Sequence, residues 1–452
     1  MIAAAAGRTR FALRSLAALL VVAGVTAGCG PGDGAGRGAR DAAEDGALVL
    51  EVWTAESGSR LALVQQRAAQ FSSGHPGVEV NLTVRDFGSY PAQLKLALAS
   101  DSPPDVVIGN LGWSLDGPLI KAGLLRPLDP WAERYGWGSR FPEAAQPQMR
   151  FSTDGKQFGR GPIFGVPYAA DVIGWFYNVG KLAALGVGIP ATLDELESTF
   201  ELAKRAGEVP IMLGNKAQWP GLHLFYLVSG NLASDDEING IVFGDRTVKW
   251  TAPGFVRSAR KLAEWHEKAY IAAGANGMSP ADALAKFTQG SGVFLPAGSW
   301  NAAELAAAMG DGVGFFLMPP LRAGEPRRAT GSVGYGWHIT AASRQPDLAA
   351  EFIDHMTREE FARELAAGGD VSPLDLGENA PAAPSRLATD IRNAWQSVVS
   401  SKTLLPYLDF GAPNGAEVLY PTVQSMIAGE ETPEQGLARI EQSREDFLES
   451  LR

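Results

Sequence analysis

Between Leu48 and Gly109 the chain alternates short apolar runs with stretches of helical spacing, and this order constrains the fold more than any other feature. Leu48-Val49-Leu50-Glu51-Val52-Trp53 reads as a strand buried on both faces. Leu61, Val64, Ala68 and Phe71 then recur at the spacing of one helix face, until His75-Pro76-Gly77 breaks the pattern. Residues 78–84 read as a second strand and 90–100 as a second helix, and Pro103-Pro104 leads into a third strand at 105–109. Strand, helix, strand, helix, strand calls for a parallel sheet with helical crossovers, an α/β fold. In such sheets ligands gather beyond the carboxyl ends of the strands. Those ends are residues 53–57, 86–88 and 109–113. The roughly 400 residues from Ala47 onward are too many for one compact core and suit two domains.

The N-terminal region is of another kind. Arg8, Arg10 and Arg14 precede an apolar run from Leu16 to Ala27, with no acidic residue among them. The run is about 12 residues long, against roughly 20 for a membrane span. Charged, apolar and small-residue segments in that order read as an export signal covering residues 1–28. It ends in Thr26-Ala27-Gly28-Cys29, which resembles a bacterial lipobox, with Thr26 where Leu is usual; the cysteine would become a lipid-bearing N-terminus. The plainer reading is a buried thiol, or a chance residue in an ordinarily cleaved signal. Cys29 is the only cysteine of the chain, so no disulfide framework is available and the fold rests on its apolar core. Residues 29–46 are Gly-rich and read as a flexible tether. A large body on a lipid leash is expected at the cell envelope, on the outer face of the cytoplasmic membrane.

The formal charge of −11 becomes more negative by three once Arg8, Arg10 and Arg14 are removed. That balance argues against nucleic acid, which is bound by basic patches. Arg327-Arg328 reads as a solvated loop. No Gly-x-Ser-x-Gly elbow, phosphate loop or His-Glu-x-x-His motif is present. Asp235-Asp236-Glu237-Ile238-Asn239-Gly240 resembles the start of a calcium loop, but Arg246 stands at its twelfth position and a polar turn is the better reading. No metal site and no cofactor are expected. A pair of carboxylates suited to glycoside hydrolysis is left open by the sequence.

Further motifs carry a resemblance over nearly the whole chain beyond the tether. Glu51-Val52-Trp53-Thr54, Phe71 with His75-Pro76-Gly77-Val78-Glu79-Val80, and Pro104-Asp105-Val106-Val107 follow one another near the front. Asp154-Gly155-Lys156, Gly165-Val166-Pro167-Tyr168 and Phe176-Tyr177-Asn178 stand in mid-chain, with Arg160-Gly161-Pro162-Ile163-Phe164 inserted among them. Pro296-Ala297-Gly298-Ser299-Trp300 and Ala349-Ala350-Glu351-Phe352-Ile353 come later. In this order they resemble the extracellular solute-binding proteins of carbohydrate ABC importers, relatives of maltose-binding protein. Gly214-Asn215-Lys216, Trp219 and His223 resemble the branch that binds oligosaccharides such as raffinose. The resemblance implies a two-lobed, periplasmic-binding-protein-like fold with interleaved chain crossings and a hinge. Crossings are expected near 158–167, 331–336 and 379–384. Lobe I would then comprise 47–160 and 335–383, and lobe II 161–334 and 384–452. The implied partners are a carbohydrate and the transmembrane permease subunits; a monomer is expected, touching the membrane through the lipid anchor alone.

A pyranose offers an apolar C–H face to a flat ring and a rim of hydroxyls to polar side chains. Several tryptophans fall in expected loops beside polar residues. Trp53 precedes Glu56 and Ser57, Trp113 follows Asn110, Trp219 lies between Asn215 and His223, and Trp337 stands near Tyr335. By family position, Trp300 is the aromatic expected to stack on a sugar, and Asp171 is the leading acid, followed by Glu56. Asn215 and His223 could equally cap or satisfy local backbone, and any of these tryptophans could be core. Trp131, Trp137, Trp250, Trp265 and Trp395 read as packing residues. The expected function is capture of an oligosaccharide for import. Two alternatives stay open: a receptor for another polar solute such as a glycerol phosphoester, and a secreted carbohydrate-active hydrolase or lyase.

Overall fold

The computed structural model describes residues 48–452; the expected signal, the tether and Cys29 lie outside them. In chain order the strands are β1 (Leu48–Thr54), β2 (Val78–Val84), β3 (Val106–Asn110), β4 (Arg150–Phe151), β5 (Phe158–Ile163), β6 (Val166–Pro167), β7 (Asp171–Asn178), β8 (Phe294–Gly298), β9 (Val313–Phe316), β10 (Ala329–Ser332), β11 (Tyr335–Ile339) and β12 (Leu404–Leu405). Helix α1 (Gly58–Gly74) joins β1 to β2, α2 (Tyr90–Leu98) joins β2 to β3, and α3 (Asp116–Lys121) follows β3. Among the described residues no helix is long and apolar enough to cross a membrane.

The strands form two five-stranded sheets, one at the centre of each lobe, and a small antiparallel pair of β4 and β5. The first runs β2-β1-β3-β11-β6, with β1 parallel to β2 and β3, and β11 antiparallel to β3 and β6. The second runs β12-β10-β7-β8, and β9 also pairs with β7. Among the described residues β7 is buried on both faces, every residue but Asn178 being buried, and β8, β9 and β10 are buried throughout. β1 departs from expectation: Leu50, Val52 and Thr54 are buried, while Glu51 and Trp53 are partly exposed. Its outer face is polar enough to be wetted, and the Asn81 amide donates to the Glu51 carboxylate there.

Helix α1 ends at Gly74, before the expected breaker. It buries Val64, Ala68 and Phe71 as the spacing requires, yet Arg60 is buried on that face and Leu61 is only half-buried. The passage expected at 158–167 is occupied by β5 and β6. Because β6 still pairs with β11, the change of sheet falls at Tyr168, Ala169 and Ala170. Only Val333 and Gly334 separate β10 of the second sheet from β11 of the first. A third passage runs close by at Asp370 and Val371, ahead of the expected 379–384, where the Ala170 N–H donates to the Val371 carbonyl at 3.0 Å.

Two polar segments differ from their expected form. Arg327 and Arg328 are tied down, donating to the carbonyls of Leu317, Pro190 and Ala233 and to the Asp235 carboxylate. Asp235–Val242 is a helix, started by a capping box of Ser234 and Glu237 that occupies the orphan N–H groups of its first turn. Trp137, Trp250, Trp265 and Trp395 are buried in the core, and Trp131 is half-buried with its indole N–H on Asp347.

Candidate aromatic cleft

The helix Trp219–Leu232 begins with Trp219 and carries His223 one turn later on the same face, their rings 5.0 Å apart. Asn215 fixes where that helix starts. Its side-chain Oδ1 accepts from the Gly221 N–H at 2.7 Å, its side-chain amide N–H donates to Asn276, and it has no exposed surface. Of the two roles open to Asn215, the geometry shows capping.

Trp300 arrives from the turn after β8. A Cβ at Gly298 would lie 2.0 Å from the Trp300 ring, so glycine there lets the indole fold back over the strand end. Trp300 lies 5.5 Å from His223 and 6.4 Å from Trp219, ring centre to ring centre. Tyr226 and Tyr407 close the other sides of His223 at 5.8 and 6.2 Å. Among the described residues His223 Nδ1 meets no hydrogen-bond partner, although the side chain is only 9% exposed. Burial pushes this imidazole down to about 3, so it is neutral at any ordinary pH. A buried polar nitrogen left unpaired carries a free-energy cost that a ligand hydroxyl would remove.

Below this cluster Asp409 accepts from the phenols of Tyr226 and Tyr420. Burial raises its carboxyl above the usual range and the two phenol bonds oppose that rise. Burial also raises the Tyr407 phenol, and the carboxylates of Asp171 and Asp409 add to the effect. Tyr335 is likewise raised by burial, then by Glu56 and Asp171.

Asp171 is not a free acid. Arg60 donates to both its oxygens, at 2.7 and 3.2 Å, and the Ser299 hydroxyl donates to one of them at 3.3 Å. Glu56 accepts from the Tyr168 phenol; burial raises its carboxyl and Arg60 opposes the rise.

On the first lobe the strand ends present a second aromatic group. The Arg85 guanidinium sits 4.5 Å from the centre of the Trp53 ring. Exposed Phe87 lies 5.7 Å from half-buried Tyr335. Tyr335 pairs with Asn110 across β11 and β3, and the Asn110 amide donates to Ser114. Ser57 is exposed at the start of α1 and makes no side-chain capping bond.

Two tryptophans are placed elsewhere than expected. Trp337 is fully buried, because Tyr168 and Phe352 pack on it over the face of β11. Trp113 is also buried, edge-on to Phe151 and Phe447 at 5.3 and 4.8 Å. The structure thus gathers Trp219, His223 and Trp300 in one cluster, and Glu56 with Asp171 in another. Sequence reasoning did not find Arg60, Arg85, Phe87, Tyr226, Tyr407 or Asp409. The run Pro406-Tyr407-Leu408-Asp409-Phe410 did carry a signal, since aromatics beside an acid are what a sugar site needs.

Curated relatives cover part of the chain. A multiple sugar-binding protein of Streptococcus mutans is 26% identical over 255 residues, 52% of this chain and 58% of that protein. The chain thus spans about half the length of the curated relatives it matches. Solved structures cover more. A chitin oligosaccharide binding protein superposes with a TM-score of 0.78 at 23% identity, over 90% of this chain and 100% of that one. A solute-binding protein solved with raffinose gives 0.68 at 18%, over 89% and 99%. These likenesses show the two-lobed fold of solute-binding proteins. The sequence profile of the bacterial extracellular solute-binding protein family matches residues 55–362, more than half of the chain, and the chain belongs to that family.

Proposed function

We propose that this protein captures an oligosaccharide outside the cell and delivers it, intact, to the transmembrane subunits of an ABC importer, working as a monomer anchored through lipid on Cys29. The observation that carries the reading is the cluster of Trp219, His223, Trp300 and Tyr407. Its flat rings suit the C–H face of a pyranose, and the buried, unpaired His223 Nδ1 suits a hydroxyl. Asn110 and Tyr335 supply polar groups from the first lobe, with Trp53, Phe87 and Ser57 at its rim. Relatives named for sugar and chitin oligosaccharide binding support the ligand class.

A phosphoester ligand is disfavoured, because Arg60 is already held by two carboxylates and Arg85 lies over the Trp53 ring. A hydrolase is disfavoured because the acids of the site are engaged, Asp171 by Arg60, Glu56 by Tyr168 and Asp409 by the phenols of Tyr226 and Tyr420. Thermal-shift screening of the exported form against mono- and oligosaccharides tests the reading, since a ligand bound only by the folded state raises its melting temperature. An oligosaccharide that raises the melting temperature and is recovered uncleaved is the expected result. No shift with any saccharide, or a cleaved product, would overturn it.

A further inference from the structure

Arg60 reaches from α1 to the hinge, a position that the spacing of α1 does not foresee. Only 6% of it is exposed. Its guanidinium forks onto Asp171, the first residue of β7, which follows directly on the first change of sheet. Its Nε donates to Asp370 at 3.0 Å, beside Val371 of the third passage. The second passage lies against the same carboxylate. Gly334, at φ +66°, would place a Cβ 3.2 Å from Asp171 Oδ2. All three passages between the sheets therefore converge on one charge network, Asp171 and Asp370 held by Arg60 from a helix of the first lobe.

The network continues into the aromatic cluster. The Ser299 hydroxyl donates to Asp171 and also accepts from the Val172 N–H at 3.2 Å. Ser299 immediately precedes Trp300 in the turn after β8. A fork of two parallel N–H···O bonds fixes orientation as well as distance, which a point charge does not. We propose that Arg60 is a positioning residue. It pins the three passages at the hinge to α1 and, through Asp171 and Ser299, holds the turn that presents Trp300. The idea rests on the proposed sugar site for its effect on binding, and on the structure alone for its effect on the hinge.

Two variants test it. Arg60→Lys keeps the charge and loses the fork. Arg60→Met combined with Asp370→Asn removes one carboxylate along with the cation and so limits the unpaired buried charge. Arg67→Met is the control. Arg67 is a second buried arginine of α1, and it bonds His355 and Glu364 with no partner in the passages. Affinity for the oligosaccharide that gives the largest thermal shift is read by titration calorimetry at a temperature well below every melting point. Backbone hydrogen exchange is followed at Ala170, Val172 and Val371, relative to β1 and β8, on the free proteins.

The double variant should bind at least tenfold more weakly and exchange at least tenfold faster at those positions. Arg60→Lys should recover part of both. Arg67→Met should melt lower with affinity and exchange within twofold of the parent. If the Arg60 variants melt lower but keep parental affinity and exchange, Arg60 is merely structural and the proposal falls. If the parent binds no saccharide, the proposed function fails instead, and exchange at the passages still decides the hinge role in either direction.

Discussion

At the scale of single residues, the site separates groups whose polar atoms are already used from groups still free to take a ligand. Trp300 belongs to the second kind. Trp300→Ala should weaken oligosaccharide binding by about 1–3 kcal/mol, as for other anchoring aromatics, with little change in melting temperature. Calorimetric titration beside a melting curve checks both halves, and a large fall in melting temperature at unchanged affinity would place Trp300 in the core. His223 supports a prediction in pH. Its folded-state value is depressed from 6.5 to about 3 by burial, so the unfolded chain takes up a proton first as the pH falls. Stability is therefore lost between about pH 6.5 and 3, by on the order of a few kcal/mol. His223→Phe should remove that part of the acid sensitivity, as urea unfolding at a series of pH values would show; parallel pH profiles would contradict it. The acids show why occupancy has to be seen. Asp171 carries a carboxylate like any other in the sequence, and its fork with Arg60 spans 111 positions.

At the scale of elements, the helix Trp219–Leu232 matters most, because its first turn carries Trp219 and its second His223. Asn215 lies outside the helix and closes the Gly221 N–H, one of the orphan donors of any helix start. Asn215→Ala should cost about 1–2 kcal/mol of stability, the usual loss of a capping side chain. It should also weaken sugar binding by letting both rings drift; denaturant unfolding and titration together check this, and full affinity in the variant would count against the positioning role. The strands show how far periodicity carries. Alternation in β2 and the unbroken apolar run of β7 match an edge strand and a doubly covered strand. Trp337 shows its limit, since a tryptophan near Tyr335 reads as a loop aromatic until β3 and β6 are seen on either side of it.

At the scale of the whole molecule, three passages join two sheets, and that architecture calls for hinge closure over a ligand. A saturating oligosaccharide should reduce the radius of gyration in small-angle scattering, and an unchanged radius would argue against closure. The ligand can shift that balance only through contacts made better in the closed form, so variants on either lobe should diminish the change. Cys29→Ser should release the protein from the membrane fraction with affinity unaltered; retention in the membrane to the same degree would contradict the lipid anchor. The sequence by itself determined the α/β order and the family, because strand period, helix period and motif spacing are local properties of the chain. It also placed Phe87 in a strand-end segment where ligands gather, without singling it out. Only the tertiary structure decided which acids are spent, which tryptophans are core and that Arg60, not Leu61, faces inward. Those outcomes depend on partners more than a hundred residues away, and on whether burial leaves a polar atom paired.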